Sequence, residues 1–411
     1  MADTLTGDPR PESSRAPDYP MPRAAGCPYD PAPDLTDRQE SGRLLRVRLW
    51  DGSTPWLVTR HADQRALLLD PRVSADIERP GYPFPARRPS RPGNGTSFIL
   101  MDDPEHARLR RMVTAPFTLR RVEAMRPGVQ RIVDGLIDAM LAGPDHADLV
   151  EAFALPLPSL VICELLGVPY TDHEFFQENS RSLLRESDST DERMAALDRL
   201  VAYLDDRLAA ADREPGEDVL SELAERVAAG ELTRIEAARM GVLLLIAGHE
   251  TTANMIALGT AALLDHPEQL ALLRDTEDPK LIAAAVEELL RYLSIVHNGR
   301  RRAVLADFEF AGHTVRAGEG LIFPNELANR DPAAFPDPDR LNLARGSRRH
   351  LAFGFGVHQC LGQPLARMEL QVAYGTLYRR IPTLRLATPR AGLTFKNDSV
   401  VYGVHELPVT W

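Results

Sequence analysis

The sequence predicts a mainly α-helical fold with a smaller β portion, and two patterns support this fold class. The 3.6-residue period of helices dominates residues 103–292 and returns at about 362–378. Short alternating apolar and polar runs, which are typical of strands, occupy about 44–75 and 298–325, and further short strands follow the last helix. Because these segments flank the helical stretch, we expect both ends of the chain to build the β portion.

Composition narrows the class of protein. The 411 residues are 44% hydrophobic and 26% charged, which is typical of a globular protein. A net charge of −11 argues against nucleic-acid binding through bulk positive charge. Three widely spaced cysteines, Cys27, Cys163 and Cys360, favour a reducing compartment. We expect a flexible segment at 1–30 and one domain at 31–411.

The localisation prediction is a cytoplasmic protein without a membrane span. Residues 1–30 lack the apolar core of a signal peptide. The longest apolar helical run, Val242 to Ala247, is far shorter than the roughly 20 residues that cross a bilayer. We also expect a monomer.

Local signals place three elements. LLRVRLW and PWLVTR predict two strands, and HADQRALLLD predicts the helix after them. Five prolines and three glycines between residues 79 and 95 predict a long loop, a candidate lid. Thr233 and Glu236 form a capping-box signature that begins a helix running to His266. Because its middle, GVLLLIAG, is apolar all round, this helix must be buried.

One cysteine has unusual surroundings. Cys360 is flanked by Gly354, Gly356 and Gly362 and directly precedes an apolar helix. Glycines let the backbone approach a bulky planar group, and amide N–H groups at a helix start stabilise a thiolate. No second cysteine or suitably spaced histidine stands nearby, which disfavours an iron–sulfur cluster or tetrahedral zinc, whereas haem iron needs one proximal ligand. The alternative is a buried structural cysteine.

The segment FGFGVHQCLG, residues 353–362, resembles the F-x-x-G-x-x-x-C-x-G signature of cytochrome P450 monooxygenases. The resemblance extends over residues 31–411 and is closest to soluble bacterial members that oxidise natural products. It implies the P450 fold, with heme b (iron protoporphyrin IX) between the long central helix and the cysteine loop. It also implies that Cys360 ligates the iron and that Phe353, Gly354 and Gly362 belong to the cofactor site.

Two further sets follow from the resemblance. The haem propionates are expected to be bound by His106, Arg110, Arg302 and His350. His106 and Arg110 are spaced i, i+4 on a helix, so they reach the same side. Arg300 and Arg301 adjoin Arg302, and a slip of one residue in a strand reverses the facing side.

A charged pair resembles the family's structural Glu-Arg-Arg triad. Glu288 and Arg291 are three residues apart on a helix and can share a third charged partner, for which Arg340 is the candidate. Their expected role is folding and integrity of the haem pocket. The alternative is a solvated surface salt bridge.

Residues 247–252, AGHETT, interrupt the apolar middle of the long helix. Glycine and threonine weaken the helical ladder and permit a kink, while a glutamate can relay protons. The stretch matches the family's oxygen-activation motif, which implies that Thr251 hydrogen-bonds the oxygen being activated and that Glu250 delivers protons. The alternative is a helix that emerges at the surface.

Partners follow from charge and from the resemblance. The stretch 106–122 holds five arginines and no acid: Arg108, Arg110, Arg111, Arg120 and Arg121. In similar proteins this region lies where an acidic ferredoxin docks, and we expect Arg111 and Arg121 to contribute; the alternative is a solvated helix face. Since no segment resembles a flavin or nicotinamide domain, ferredoxin and ferredoxin reductase are expected to supply the electrons.

The leading hypothesis is a ferredoxin-dependent monooxygenase. It would insert one oxygen atom of dioxygen, by hydroxylation or epoxidation, into a mainly hydrophobic small molecule such as a macrolide, terpenoid or steroid-like secondary metabolite. Pocket walls are expected at 79–98, 175–184, 244–249, 293–297 and 400–402, most of them apolar. The alternatives are a haem enzyme of oxidative coupling or peroxide-driven oxidation, and a haem protein that binds or senses a ligand without turnover.

Overall fold

The computed structural model describes residues 16–24, 27–85, 97–185, 187–214 and 216–411. Most of the candidate lid therefore lies outside the described residues, and its first residues, 79–85, form no helix or strand. The described chain is mostly helical, which confirms the predicted fold class.

Thirteen α-helices lie within the described residues. They are α1 (Pro33–Ser41), α2 (His61–Leu67), α3 (Glu105–Met112), α4 (Leu119–Ala142), α5 (Pro156–Leu166), α6 (His173–Leu184), α7 (Thr190–Arg213), α8 (Val219–Ala228), α9 (Arg234–Leu264), α10 (Pro267–Arg274), α11 (Pro279–Leu293), α12 (Asn325–Ala328) and α13 (Gln363–Arg380). Helix α9 packs against α5, α7, α8 and α13, and α13 packs against α4, so these helices surround the main core.

The strands are β1 (Leu44–Arg46), β2 (Trp56–Val58), β3 (Val73–Ser74), β4 (His146–Asp148), β5 (Arg300–Val304), β6 (Phe308–Phe310), β7 (His313–Val315), β8 (Gly320–Phe323), β9 (Arg385–Leu386) and β10 (Pro408–Thr410). The largest sheet has the order β1-β2-β8-β5-β3, so segments from both sides of the helical region share it, as predicted. A second sheet, β4-β10-β9, was not predicted in full, because β4 lies inside the stretch expected to be only helical. Its residues, His-Ala-Asp, carry no alternating pattern, and pairing with β10 holds them extended.

Helix α9 confirms the predicted capping box: Thr233 caps the helix and exchanges hydrogen bonds with Glu236. At 1.5 Å per residue its 31 residues extend about 46 Å. By length and composition alone, this helix could cross a membrane. However, 72% of its apolar 18-residue stretch is buried inside the protein. Two of its glycines allow close helix packing: a Cβ on Gly248 would lie 2.7 Å from the Ile162 side chain, and one on Gly259 would lie 2.0 Å from the Tyr374 hydroxyl.

Part of the N-terminal segment expected to be flexible packs on the body of the protein. Tyr19 and Tyr29 are buried, and Tyr29 donates a hydrogen bond to Asp265. The Arg23 guanidinium donates to the carbonyl of Ser294 at 2.8 Å. These contacts join the described part of the N-terminal segment to the rest of the protein.

Candidate active site

A large cavity lies between the middle of α9 and the start of α13. Its empty volume is about 1300 Å³, including its opening to solvent. The wall formed by α9 is apolar or hydroxylic and includes Leu243, Leu244 and Ala247. Further apolar residues are Phe98 and Ile99 from the segment before α3, and Ile295 and Val296 from the turn after α11. The expected walls at 175–184 and 400–402 are not among the lining residues.

Cys360 lines this cavity at the end of a tightly folded loop. Its backbone N–H donates to the carbonyl of Phe353 at 2.8 Å. Gly354 and Gly356 both adopt left-handed backbone conformations, with φ of 72° and 76°. A Cβ on Gly356 would also lie 2.8 Å from the carbonyl oxygen of Leu68. Gly354 and Gly356 are therefore required by backbone conformation, and Gly356 also by close packing.

The thiol environment balances two effects. Desolvation raises the pKa of Cys360, although the side chain keeps accessible surface because it faces the cavity. The backbone N–H of Gly362 and the guanidinium groups of Arg300 and Arg110 act in the opposite direction and favour the thiolate. The loop thus places a single sulfur ligand beside cationic groups and at the start of a helix.

One end of the cavity is cationic. Arg110 and Arg300 line it; Arg110 donates to the carbonyl of Gln359 at 2.7 Å, and Arg300 donates to the side chain of Asn325 at 2.5 Å. His358 lines the same cavity, and its ring lies 4.0 Å from that of His106. Burial and the charge of the nearby Arg302 lower the pKa of His358 to about 3.

Two ring nitrogens in this cluster have no hydrogen-bond partner within the described residues: Nδ1 of His358 and Nε2 of His106. The other nitrogen of His106 contacts Asp103 at 2.9 Å. Buried polar atoms without partners are expected to meet a ligand or water. A thiol, two arginines and a histidine line this largely apolar cavity, with His106 beside the histidine, and this set fits an iron porphyrin with two carboxylates.

Two of the residues expected to bind the propionates, His350 and Arg302, do not line the cavity. His350 does not line the cavity; its Nε2 lies 2.8 Å from Glu287, and both side chains are buried. Because side chains alternate along β5, Arg300 and Arg302 share a face, but Arg300 lines the cavity while Arg302 donates to the carbonyl of Arg301. His358 stands two residues before Cys360, so the cysteine loop itself contains the signal that the sequence analysis missed.

The structural triad has a different third member. Glu288 and Arg291 form two hydrogen bonds of 2.8 and 2.9 Å, with both side chains fully buried. The third partner is Arg345, whose Nε lies 3.1 Å from the Glu288 carboxylate. The Arg340 side chain is exposed, and only its backbone carbonyl accepts a hydrogen bond from Arg291, at 3.4 Å. The prediction of Arg340 was wrong because the loop turns between Arg340 and Arg345, and the side chain of Arg345 is the one that reaches Glu288.

The AGHETT stretch divides between two sides of α9. Thr251 and Thr252 line the cavity, and the Thr251 hydroxyl donates to the carbonyl of Ala247 at 2.8 Å. Glu250 is buried but is not among the lining residues, and its Oε1 lies 3.6 Å from Nε2 of His249. The helix is continuous through this stretch, and His249, Glu250 and Thr252 are buried. The alternative of a helix that emerges at the surface is therefore wrong.

Known proteins resemble the chain over its whole length. The family model described as Cytochrome P450 matches residues 202–381. Cytochrome P450 GfsF of Streptomyces halstedii is 54% identical over 422 residues, covering 100% of each protein, and Cytochrome P450-SU2 of Streptomyces griseolus is 56% identical over 393 residues, covering 95% of this chain and 96% of the relative.

Solved structures agree. The crystal structure of mycinamicin VIII C21 methyl hydroxylase MycCI from Micromonospora griseorubida, bound to mycinamicin VIII, has a TM-score of 0.89 at 43% identity and covers 96% of this chain and 100% of that chain. Similarity of this extent shows common family as well as common fold. The chain therefore belongs to the cytochrome P450 family of haem-thiolate monooxygenases.

Proposed function

We propose that this protein is a ferredoxin-dependent monooxygenase that hydroxylates or epoxidises a hydrophobic secondary metabolite in the cytoplasm. The observation that carries the proposal is the division of one cavity into three parts. Cys360 supplies a sulfur ligand, Arg110 and Arg300 supply positive charge at one end, and the wall formed by α9 is apolar except for Thr251 and Thr252.

The residues present can hold heme b, which supplies dioxygen activation when bound. We assign Cys360 to the iron and Arg110, Arg300 and His358 to the propionates. The ring of His106 lies 4.0 Å from that of His358, and the charge of Arg302 lowers the pKa of His358. Phe353 and Gly362 line the cavity, and Gly354 leaves room for Arg300, whose Nε would lie 3.0 Å from a Cβ there.

Thr251 and Glu250 are proposed as the catalytic residues for proton supply. The Thr251 hydroxyl faces the cavity and can donate to an oxygen atom there by turning away from the Ala247 carbonyl. Glu250 lies on the other side of the helix, where burial raises its pKa but His249, Lys396 and Arg181 lower it below the usual value. Glu250 is thus ionised and can exchange protons with solvent-connected groups.

The substrate class follows from the lining. Among the described residues the walls above the cysteine carry no charged group apart from the arginines assigned to the propionates and Glu369 on α13. Such a wall selects apolar molecules through burial of their surface. A relative whose structure contains mycinamicin VIII supports a macrolide or a molecule of similar polarity as the first class to test.

The arginine-rich segment supports docking of an acidic ferredoxin, but through Arg111 and Arg120 instead of the expected Arg111 and Arg121. Arg108 is paired with Glu105 and Glu236, and Arg121 with Glu222. Arg111 and Arg120 are exposed and have no ion pair within the described residues. We therefore assign the docking charge to Arg111 and Arg120. Charge reversal at both should slow reduction by ferredoxin, most strongly at low salt.

The test of the proposed function is the absorption spectrum of the reduced protein with carbon monoxide. Wild-type protein should show the strongly red-shifted band of a thiolate ligand, Cys360→Ser should lose it, and Cys27→Ser, at a half-buried cysteine outside the cavity, should keep it. Shifts of the haem spectrum on adding macrolides then identify substrates. A wild-type protein without this band would overturn the proposal.

A further inference from the structure

One wall of the cavity is the turn after α11. Ser294, Ile295 and Val296 of this turn all line the cavity. Ser294 has a left-handed backbone conformation, with φ of 44°, which a residue that carries a Cβ adopts only at a cost in free energy. The Asn329 side chain donates to the Ser294 hydroxyl at 2.8 Å. Because the conformation is strained, the turn needs such contacts from its surroundings to keep its shape.

The C-terminal segment supplies further contacts to the same turn. The backbone N–H of Tyr402 donates to the carbonyl of Ile295 at 2.8 Å. Val296 pairs with Val401 in an antiparallel bridge. The position of this wall of the cavity therefore depends on how firmly the turn and the C-terminal segment are held together.

Arg23, from the N-terminal segment, contacts both of these parts. Its guanidinium donates to the carbonyl of Ser294 at 2.8 Å and to that of Tyr29, in its own segment, at 3.3 Å. The same guanidinium lies over the ring of Tyr402, 4.2 Å from the ring centroid. A planar guanidinium can stack on an aromatic ring and donate hydrogen bonds at the same time, which a lysine ammonium group cannot do. Arg23 thus joins three segments that are far apart in the sequence.

We propose that Arg23 is a positioning residue for substrate selection: it fixes the turn after α11 against the C-terminal segment and so sets the affinity for molecules that reach this wall. Arg23 is not among the residues that line the cavity, so it acts on a ligand through Ser294 and the two residues after it. A wall that is already fixed costs a ligand no free energy of ordering when it binds. The inference rests on the proposed function and deepens it, because it concerns the substrate of the same cavity.

The experiment compares two haem ligands of different size, imidazole and clotrimazole. Both bind iron through an imidazole nitrogen, but clotrimazole also carries bulky aromatic rings that contact the cavity walls. Spectral titration of the haem-loaded protein gives the ratio of the clotrimazole to the imidazole dissociation constant. This ratio should rise by about fivefold in Arg23→Gln and Arg23→Lys, because loss of a hydrogen bond from a charged group shifts an equilibrium by about tenfold or more and the ligand senses part of that shift. An unchanged or lower ratio would overturn the proposal.

Arg48→Gln is the matched control, because it loosens the same N-terminal segment at another point. Arg48 binds the side chain of Asp18 at 2.6 Å and makes no hydrogen bond to the turn among the described residues. The ratio should therefore stay at the wild-type value in this variant. If Arg48→Gln raised the ratio as much as Arg23→Gln does, loosening of the segment would be the cause, and the proposed role of Arg23 would be overturned.

The two proposals fail in different ways. If wild type lacks the thiolate band with carbon monoxide, the proposed function fails. If that band is present in wild type and in both Arg23 variants but the ratio of dissociation constants is unchanged, only the role of Arg23 is overturned. The same band shows that the variants have folded around the haem.

Discussion

Glu250 on α9 and Glu369 on α13 are both buried, yet their surroundings shift their pKa values in opposite directions. Glu250 lies among His249, Lys396 and Arg181, and these groups lower its pKa despite the cost of burial. Glu369 has no such neighbours, and burial alone raises its pKa. Burial therefore does not decide whether an acid is ionised; the groups that replace its water do.

The two carboxyl groups also differ in position. Glu250 does not line the cavity and lies beside His249, whereas Glu369 lines the cavity. Two carboxyl groups of one protein can therefore have pKa values shifted in opposite directions, because their environments differ.

The largest expected effect comes from Glu250→Gln, which removes the ionised relay. Turnover should fall by about 100-fold, the lower range for loss of a general acid–base group. Because the folded pKa of Glu250 is lowered, its contribution to stability is present above the unfolded pKa and is lost as pH falls through the folded pKa. The variant should therefore be less stable than wild type at pH 7 and nearly equal at low pH. Equal turnover would show that another group is the relay.

A third buried glutamate, Glu288, differs from both because it forms ion pairs with two arginines, Arg291 and Arg345. Arg345→Ala removes one of its two arginine partners and should lower the free energy of unfolding by about 2 kcal/mol, as for a hydrogen bond to a charged group. Arg340→Ala is the matched control, since that side chain is exposed, and should change it by less than about 0.5 kcal/mol. Urea unfolding of both variants measures the difference. The reverse order would restore Arg340 as the triad member.

The sequence predicted well where local pattern and spacing decide the outcome. The capping box at Thr233 and Glu236 begins α9 as expected, because its hydrogen bonds span three residues. Gly354 and Gly356 were interpretable for the same reason, since the loop needs their left-handed backbone conformations.

The errors occurred where long-range geometry decides. Arg345 rather than Arg340 reaches Glu288 because of the loop between them, and no periodicity describes that loop. His350 and His358 are both near Cys360 in sequence, and only the turn of the loop sends His358 into the cavity and His350 to Glu287. Glu369 did have a signal, a lone acid in the apolar run LARMELQVAY, but its lack of partners is a tertiary property.

Glu369→Gln should change stability with the opposite sign to Glu250→Gln. The folded pKa of Glu369 is raised, so its stabilising contribution is fully present below the unfolded pKa, about 4.3, and is lost as pH rises toward the folded value. The variant should therefore gain stability over wild type as pH increases from 4 to 8. Thermal unfolding midpoints across this range measure the gap, and Glu268→Gln, at an exposed site, should show none. A gap of the same sign as that of Glu250→Gln would mean that Glu369 is ionised.

The smallest expected effect is that of Lys396→Met, which alters the surroundings of Glu250 and leaves its carboxyl group in place. Lys396 is one of two lysines in the chain, and its charge lowers the pKa of Glu250. Methionine keeps the apolar stem and removes the ammonium group, so the pKa of Glu250 should rise and the acidic limb of the pH–rate profile should move to higher pH. At pH 7 the rate should change by about twofold or less, as for loss of one partly exposed charge pair. Lys280→Met, at the start of α11 and away from the cavity, is the control. If the profile does not move while Glu250→Gln remains impaired, His249 and Arg181 alone hold Glu250 ionised, and proton exchange does not depend on the C-terminal loop that carries Lys396.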